Sequence, residues 1–160
     1  MARDRNIAIA RRFIEELWNE RQFHVADEIV AQDFVAQTLC YEPTPWEGQG
    51  PDSIKRHIKN DWLAHVPDLH FLVRDVIADD RAVVVQWLAQ GTHTGKLMGM
   101  TGKNTKLEVY GTTICHIERE KIVSNTIIMD MLGLLQQLGA VPNLAELATI
   151  ENDSWGVSGN

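Results

Sequence analysis

Apolar residues return at helical spacing in the first twenty positions: Ile7, Ala10, Phe13, Ile14, Leu17 and Trp18, with charges filling the opposite side. The pattern predicts an amphipathic helix from about Arg3 to Glu20. "FHVADEIVA" predicts a second short helix, and "DFVAQTL" a brief strand or extended segment. In "CYEPTPWEGQGPD" the prolines and glycines forbid regular structure, and a loop of that length is expected to border a binding site. Pro51-Asp52-Ser53 then opens a third helix carrying Ile54, Ile58, Trp62 and Leu63.

From Leu69 the period changes. "LHFLVRDVIADDRAVVVQWLAQGTHTG" is rich in β-branched residues and predicts a hairpin turning at Asp79-Asp80. "TKLEVYGTTICHIEREKIVSNTIIMD" predicts a second hairpin turning near Arg119-Glu120, and "MLGLLQQLG" a short helix with Gly139 as its stop. The polar ending "ENDSWGVSGN" is expected to be loosely held. Helices first, then long antiparallel strands, then a closing helix is an α+β order. Its physical solution is a curved sheet wrapped around the N-terminal helices, with a cavity at the end the helices cannot fill.

Strand alternation sorts the candidate pocket residues. Val85, Trp87, Ala89 and His93 share one face of their strand, and Val109, Gly111, Thr113 and Cys115 share one face of theirs. On the last strand Ser124, Thr126 and Ile128 lie on the side of Asp130, while Asn125, Ile127 and Met129 lie opposite. The expectation is a single cavity lined by the faces that carry Asp130, Ile128, Trp87, His93 and Thr113. Trp87 serves as core or as a flat wall against a planar substrate. His93 is a strand-end polar residue or a hydrogen-bond donor to a developing oxyanion. Trp46, in the proline-rich loop, covers the cavity mouth or anchors the loop.

The 160 residues carry a formal charge of −7 without a basic cluster, which argues against nucleic-acid or membrane-surface binding. Cys40 and Cys115 are isolated, and His57, His65 and His70 lack the spacing of a zinc helix, so no metal is expected. "GKLMGMTGKN" has leucine where a phosphate-binding loop needs glycine, and no dinucleotide fingerprint or serine elbow occurs, so no cofactor is expected. With neither a signal-peptide pattern nor a membrane-length apolar run, the expected location is cytoplasmic.

"NIAIARRFIEELWNE", the "VPD" at Val66–Asp68, "GTHTGKLMGM" and "GTTICHIEREKIVSNTIIMDMLGLLQQLG" resemble the SnoaL-like polyketide cyclase family, which has the NTF2-like cone fold. The resemblance runs from about Asn6 to Gly139, and residues 1–142 are expected to form that domain, with 143–160 as a tail. It implies that Asp130 is the catalytic acid/base of a cofactor-independent intramolecular aldol condensation on a hydrophobic, carbonyl-bearing small molecule. It implies that His93 is a pocket residue. It also makes a homodimer or homotetramer expected, joined by the exposed sheet face. The chain departs from the family pattern at Gln37 and Thr113, where relatives often carry His, and at Asn125.

Two readings of Asp130 are open. As a helix N-cap its carboxylate would be stabilised by backbone amides, which lowers a pKa. As a general base it would sit against an apolar wall, which raises one. Two other functions are carried alongside: hydrolysis of an epoxide or lactone, for which adjacent Arg74 and Asp75 are poorly arranged, and non-catalytic binding of a small molecule.

Overall fold

The computed structural model describes residues 2–38 and 48–154, with side chains up to Thr149. The first apolar stripe forms α1 (Ala2–Arg12), which continues without a break into a wider π-helical stretch, Phe13–Asn19. Ala10, Phe13, Ile14 and Leu17 are fully buried, so packing rather than propensity holds this helix. Arg11–Glu15 and Arg12–Glu16 pair at 2.9 Å on its outer side. Such half-exposed pairs contribute only about 0.3–0.5 kcal/mol each. α2 is Val25–Ile29 and leads directly into β1 (Val30–Thr38).

The third helix starts as expected. α3 (Gly50–Arg56) has proline in its first turn, where a missing N–H costs nothing, and the Ser53 hydroxyl donates to the Gly50 carbonyl at 2.7 Å. It also widens into a π-helical stretch, His57–Leu63. Two helices that both loosen at the same level are unusual, and π segments are frequent at functional sites.

The strands that follow are β2 (His70–Ala78), β3 (Ala82–His93), the two-residue β4 (Lys96–Leu97) and β5 (Met100–Thr101), β6 (Thr105–Glu118) and β7 (Lys121–Met129). The chain closes with α4 (Met131–Gln137) and α5 (Leu144–Ser154). α5 carries helical structure into the first residues of the polar ending, where no element is expected from the sequence.

The main sheet has the order β1-β7-β6-β3-β2 and is antiparallel except where β1 runs parallel to β7. Register shifts fall in β1 between Val30 and Val35, in β2 between Val73 and Asp75, and where β6 meets β7 at His116/Ile117. Extra residues at such points bend and twist a strand, which curves the sheet around the helices. The hairpin between β6 and β7 turns on Arg119 and Glu120, at φ 47° and 62°. That is the primed turn geometry whose twist matches the flanking strands.

The edge strand β2 is tied to the first helix by side-chain amide bonds. Asn19 Nδ2 donates to the Phe71 carbonyl at 2.9 Å, and the Phe71 N–H donates to Asn19 Oδ1 at 2.8 Å. The pair continues the sheet's hydrogen bonding onto a helix and fixes the helix against the concave face.

Inside the curve, Gly111 of β6 is the position where space decides. A Cβ built there would stand 2.2 Å from the Trp87 ring. The indole lies over the bare backbone, and Gly111 is opposite it in the β3–β6 register. Gly111→Ala is therefore expected to push the ring out of place and cost about 1–3 kcal/mol. Urea unfolding checks this: a lower midpoint at unchanged slope is expected, and a midpoint equal to wild type would mean the ring has room to move.

Candidate functional site

The inward faces of β3, β6 and β7 and the two π-helical stretches line a pocket that opens to solvent, with a cavity of about 50 Å³ free inside it. Its walls are almost entirely hydrocarbon: Phe13, Ile14 and Trp18 from the first helix, Leu69 and Phe71 from β2 and its approach, Val109, Ile127, Met129 and Leu134 from the far side. Trp18, Phe71 and Trp87 form a continuous aromatic wall, with edge-to-face contacts of 5.1 Å and 5.0 Å between ring centres. A pocket with this lining suits a small molecule with a large apolar surface.

Few polar groups interrupt it. Thr113 is 3 % exposed, and its Oγ1 accepts a 2.9 Å bond from the Trp87 indole N–H. Asn125, on β7 opposite Cys115, is fully buried, and neither its Nδ2 nor its Oδ1 has a hydrogen-bond partner among the described residues. Gln90 stands nearer the mouth and donates to Glu108 Oε1 at 2.5 Å.

His57 is the remaining polar wall. Its Nδ1 lies 2.8 Å from Asp61 Oδ2, and the Trp62 indole N–H donates to its Nε2 at 3.0 Å. These two contacts assign the neutral tautomer with hydrogen on Nδ1. The wider helix explains the arrangement. Bonds from residue i to i+5 bring both i+4 and i+5 close to the azimuth of residue i. Asp61 and Trp62 therefore reach the two nitrogens of one ring. Burial pushes the His57 pKa below its ordinary 6.5, and the hydrogen bond and charge of Asp61 oppose that only in part.

The expected site residues separate. Trp87 and Thr113 line the cavity as the alternation predicts. His93 is 2 % exposed but stands outside the cavity wall, and its Nε2 accepts from the Leu97 N–H at 3.3 Å, which secures the small β4–β5 turn. Ile128 is a correction: it is 47 % exposed on the outer face. Trp46 lies outside the described residues.

Asp130 is also a correction in its surroundings. It is exposed, it forms the N-cap of α4, and its Oδ1 accepts from the Gly133 N–H at 2.8 Å. The physical reason lies in the pleat. Asn125, Ile127 and Met129 face inward, so Asp130 and Ile128 belong to the opposite parity. The alternation was right, but the cavity is on its other side. Arg74 and Asp75 are both exposed, because the irregularity between Val73 and Asp75 spoils the alternation that adjacent residues normally obey.

Sequence reading missed His57 and Asn125. The signal for the first is present in "HIKNDW", where His and Asp stand four apart on a helix. Asn125 has no local signal, since an inward amide is indistinguishable in sequence from an outward one. Cys115 is fully buried with its thiol pushed up to about 12, so it is not a nucleophile at neutral pH. Among the described residues no cluster of His, Cys, Asp or Glu fits a metal ion, and no helix is long and apolar enough to cross a membrane.

Comparison with known proteins places this cone. TsrD from Streptomyces laurentii superposes with a TM-score of 0.74 at 22% identity, covering 86% of this chain and 97% of TsrD. A SnoaL-like polyketide cyclase from Agrobacterium tumefaciens gives 0.64 at 17% identity, covering 79% of this chain and 92% of that one. A phenazine biosynthesis-related protein from Pseudomonas aeruginosa gives 0.70 at 17%, covering 88% and 90%. At these identities the likeness concerns the fold alone. No curated protein matches the chain. The model of the SnoaL-like polyketide cyclase family matches residues 8–138, which span most of α1, the main sheet, α4 and every wall of the cavity. The chain belongs to the SnoaL-like polyketide cyclase family.

Proposed function

We propose that this protein binds a neutral, largely apolar, carbonyl-bearing small molecule inside the cone and catalyses an intramolecular aldol-type cyclisation on it without a cofactor. The observation that carries the proposal is His57. It is an imidazole that burial keeps toward its neutral form, oriented by a carboxylate, and among the described residues the one titratable side chain in a wall that is mostly hydrocarbon. A general base needs an unprotonated acceptor at working pH, and burial favours that form of His57; its acceptor, Nε2, becomes available once the Trp62 indole moves off it.

The proposed steps balance on one group. His57 takes a proton from a carbon flanked by carbonyls, leaving an enolate. The enolate carbon attacks a ketone of the same molecule, forming the carbon–carbon bond, and the alkoxide so formed takes the proton back from the imidazolium. Asp61 stabilises the imidazolium between the two transfers. Trp62 occupies Nε2 in the empty protein, so the indole turns aside as substrate enters. The apolar wall holds the folded conformer of the substrate, a contribution potentially larger than proton transfer itself. Asp130, capping a helix toward solvent, is assigned to stability instead.

Two conservative variants separate the assignments. Asparagine is as good an N-cap as aspartate, so Asp130→Asn keeps the helix while removing the charge. His57→Gln is expected to lower turnover of a cyclisable polyketide ester roughly 10²–10⁴-fold. Asp130→Asn is expected to stay within a few-fold of wild type. Steady-state kinetics decide it: the reverse pattern would return the base to Asp130.

The pH dependence has a fixed sign. The rate is expected to be level at neutral pH and to fall on acidification only below 6.5, since burial has lowered the His57 pKa from that value. Between the lowered value and 6.5 the unfolded chain binds a proton that the folded chain does not, so stability rises with pH there. That contribution is fully present above 6.5 and is lost as the pH falls through the window. Thermal midpoints measured from about pH 8 to about pH 5 should fall less steeply for His57→Gln than for wild type. Parallel curves would contradict the assignment.

The outer sheet face supports a homodimer. Leu72 on β2 and Tyr110 on β6 are exposed on either side of Leu88 of β3, which is itself buried, and exposed Ile128 lies on β7. A row of apolar side chains on a sheet is a self-association surface. Size-exclusion chromatography is expected to show a dimer that Tyr110→Lys weakens. Monomeric wild-type protein would refute this.

A further inference from the structure

Among the described residues, Asn125 is the buried side chain whose polar atoms have no hydrogen-bond partner. Its side chain is fully buried in the cavity wall, with a donor and an acceptor both unpartnered among the described residues. Buried amides without partners are rare because each unmade bond forfeits the full cost of dehydration. The neighbouring strand positions offer no remedy: Cys115 and Ala36 stand opposite it on β6 and β1. On the same inward face, one diagonal step away, is Thr113, whose oxygen already accepts from Trp87. That bond leaves the Thr113 hydroxyl hydrogen to be directed elsewhere.

The geometry points to Asn125 as the specificity residue of the cavity: we propose that it recognises, by a paired hydrogen bond, a neutral keto-enol group on the substrate. This rests on the cavity being the substrate site. The chemistry follows from which partners an amide accepts. Nδ2–H needs an acceptor, which a ketone oxygen supplies. Oδ1 needs a donor, which an enol or adjacent hydroxyl supplies. A β-hydroxy-enone, the enol form of a 1,3-dicarbonyl, carries both within one short segment. A carboxylate satisfies only the donor, brings its lone pairs against Oδ1, and has to be buried as an anion. The basic side chain in the wall is His57, which burial keeps toward its neutral form. A plain hydrocarbon satisfies neither atom. The wall thus selects against free acids and for enolised diketones, the state from which a cyclising carbon nucleophile is made.

The test uses small probes of similar length: benzoylacetone, which is largely enolised; butylbenzene, which has no oxygen; and 4-phenylbutyrate, which is anionic. Quenching of tryptophan fluorescence reports binding, since Trp18, Trp62 and Trp87 all line the cavity. Wild-type protein is expected to bind benzoylacetone most tightly and 4-phenylbutyrate least. Asn125→Leu should weaken benzoylacetone roughly 10–100-fold, as two lost hydrogen bonds would, while butylbenzene binds as well or better. The thermal midpoint of empty Asn125→Leu should equal or exceed wild type, because an orphaned amide has been replaced by hydrocarbon of similar size.

Two results overturn the inference. Benzoylacetone affinity unchanged in Asn125→Leu would show that the amide does not meet the ligand. A large drop in thermal midpoint, in both Asn125→Leu and the smaller Asn125→Val, would show that the amide is held by a structural partner such as a buried water. If wild type binds neither benzoylacetone nor butylbenzene, the cavity itself is not the substrate site, and the proposed function falls with the inference. If it binds both but Asn125→Leu discriminates as wild type does, only the role of Asn125 fails.

Discussion

A polar atom taken out of water must find another partner, and this constraint organises the whole interior. The cone is built by hydrocarbon burial, from Phe13 and Leu17 on the first helix to Val85 and Val109 on the sheet. Most polar side chains near that hydrocarbon meet the constraint, in different ways. Asp130 meets it by facing solvent and accepting from the Gly133 amide. Thr113 meets it through Trp87, and His57 through Asp61 and Trp62. Asn125 does not meet it at all within the described residues. A group left unsatisfied in an otherwise well-paired structure is where a ligand has most to contribute.

The local geometry that makes the site follows from departures from regularity. Both helices that cover the sheet widen where they approach the cavity, and the second widening delivers two partners to one imidazole. The sheet bends at bulges rather than smoothly, and a glycine is required where the Trp87 ring lies on the backbone of β6. The cofactor-free chemistry proposed for the cone depends on these positions holding firm. The amide pair between Asn19 and Phe71 is one of the devices that keeps the helix from sliding along the edge strand.

Much of the fold could be read from the chain because its signals are local. The period of Ile7 to Trp18, the β-branched runs, the Asp79-Asp80 and Arg119-Glu120 turns and the Gly139 stop all lie where the structure has them. The parallel pairing of β1 with β7 could not be read, since strand partnership across ninety residues leaves no local trace. Trp87 and Thr113 were placed correctly because β3 and β6 keep strict alternation over the relevant stretch. Asp130 and Ile128 lie on the other side of β7 from the cavity, a choice of side that the sequence of β7 does not encode. The pattern around it, with Ile127 and Met129 among the apolar residues, fitted either side. His57 was legible in its spacing to Asp61, and Asn125 was visible only once the inward side of β7 was known.

The central claim is that the reacting end of the substrate is held deep in the cone between Asn125 and His57. A crystal structure with a bound neutral diketone tests it most directly. The account predicts ligand oxygens within hydrogen-bonding distance of both Asn125 side-chain atoms, the carbon between them facing the His57 ring, and Trp62 turned away from Nε2. A ligand seated at the rim with that carbon against the Asp130 carboxylate, and Asn125 untouched, would contradict it.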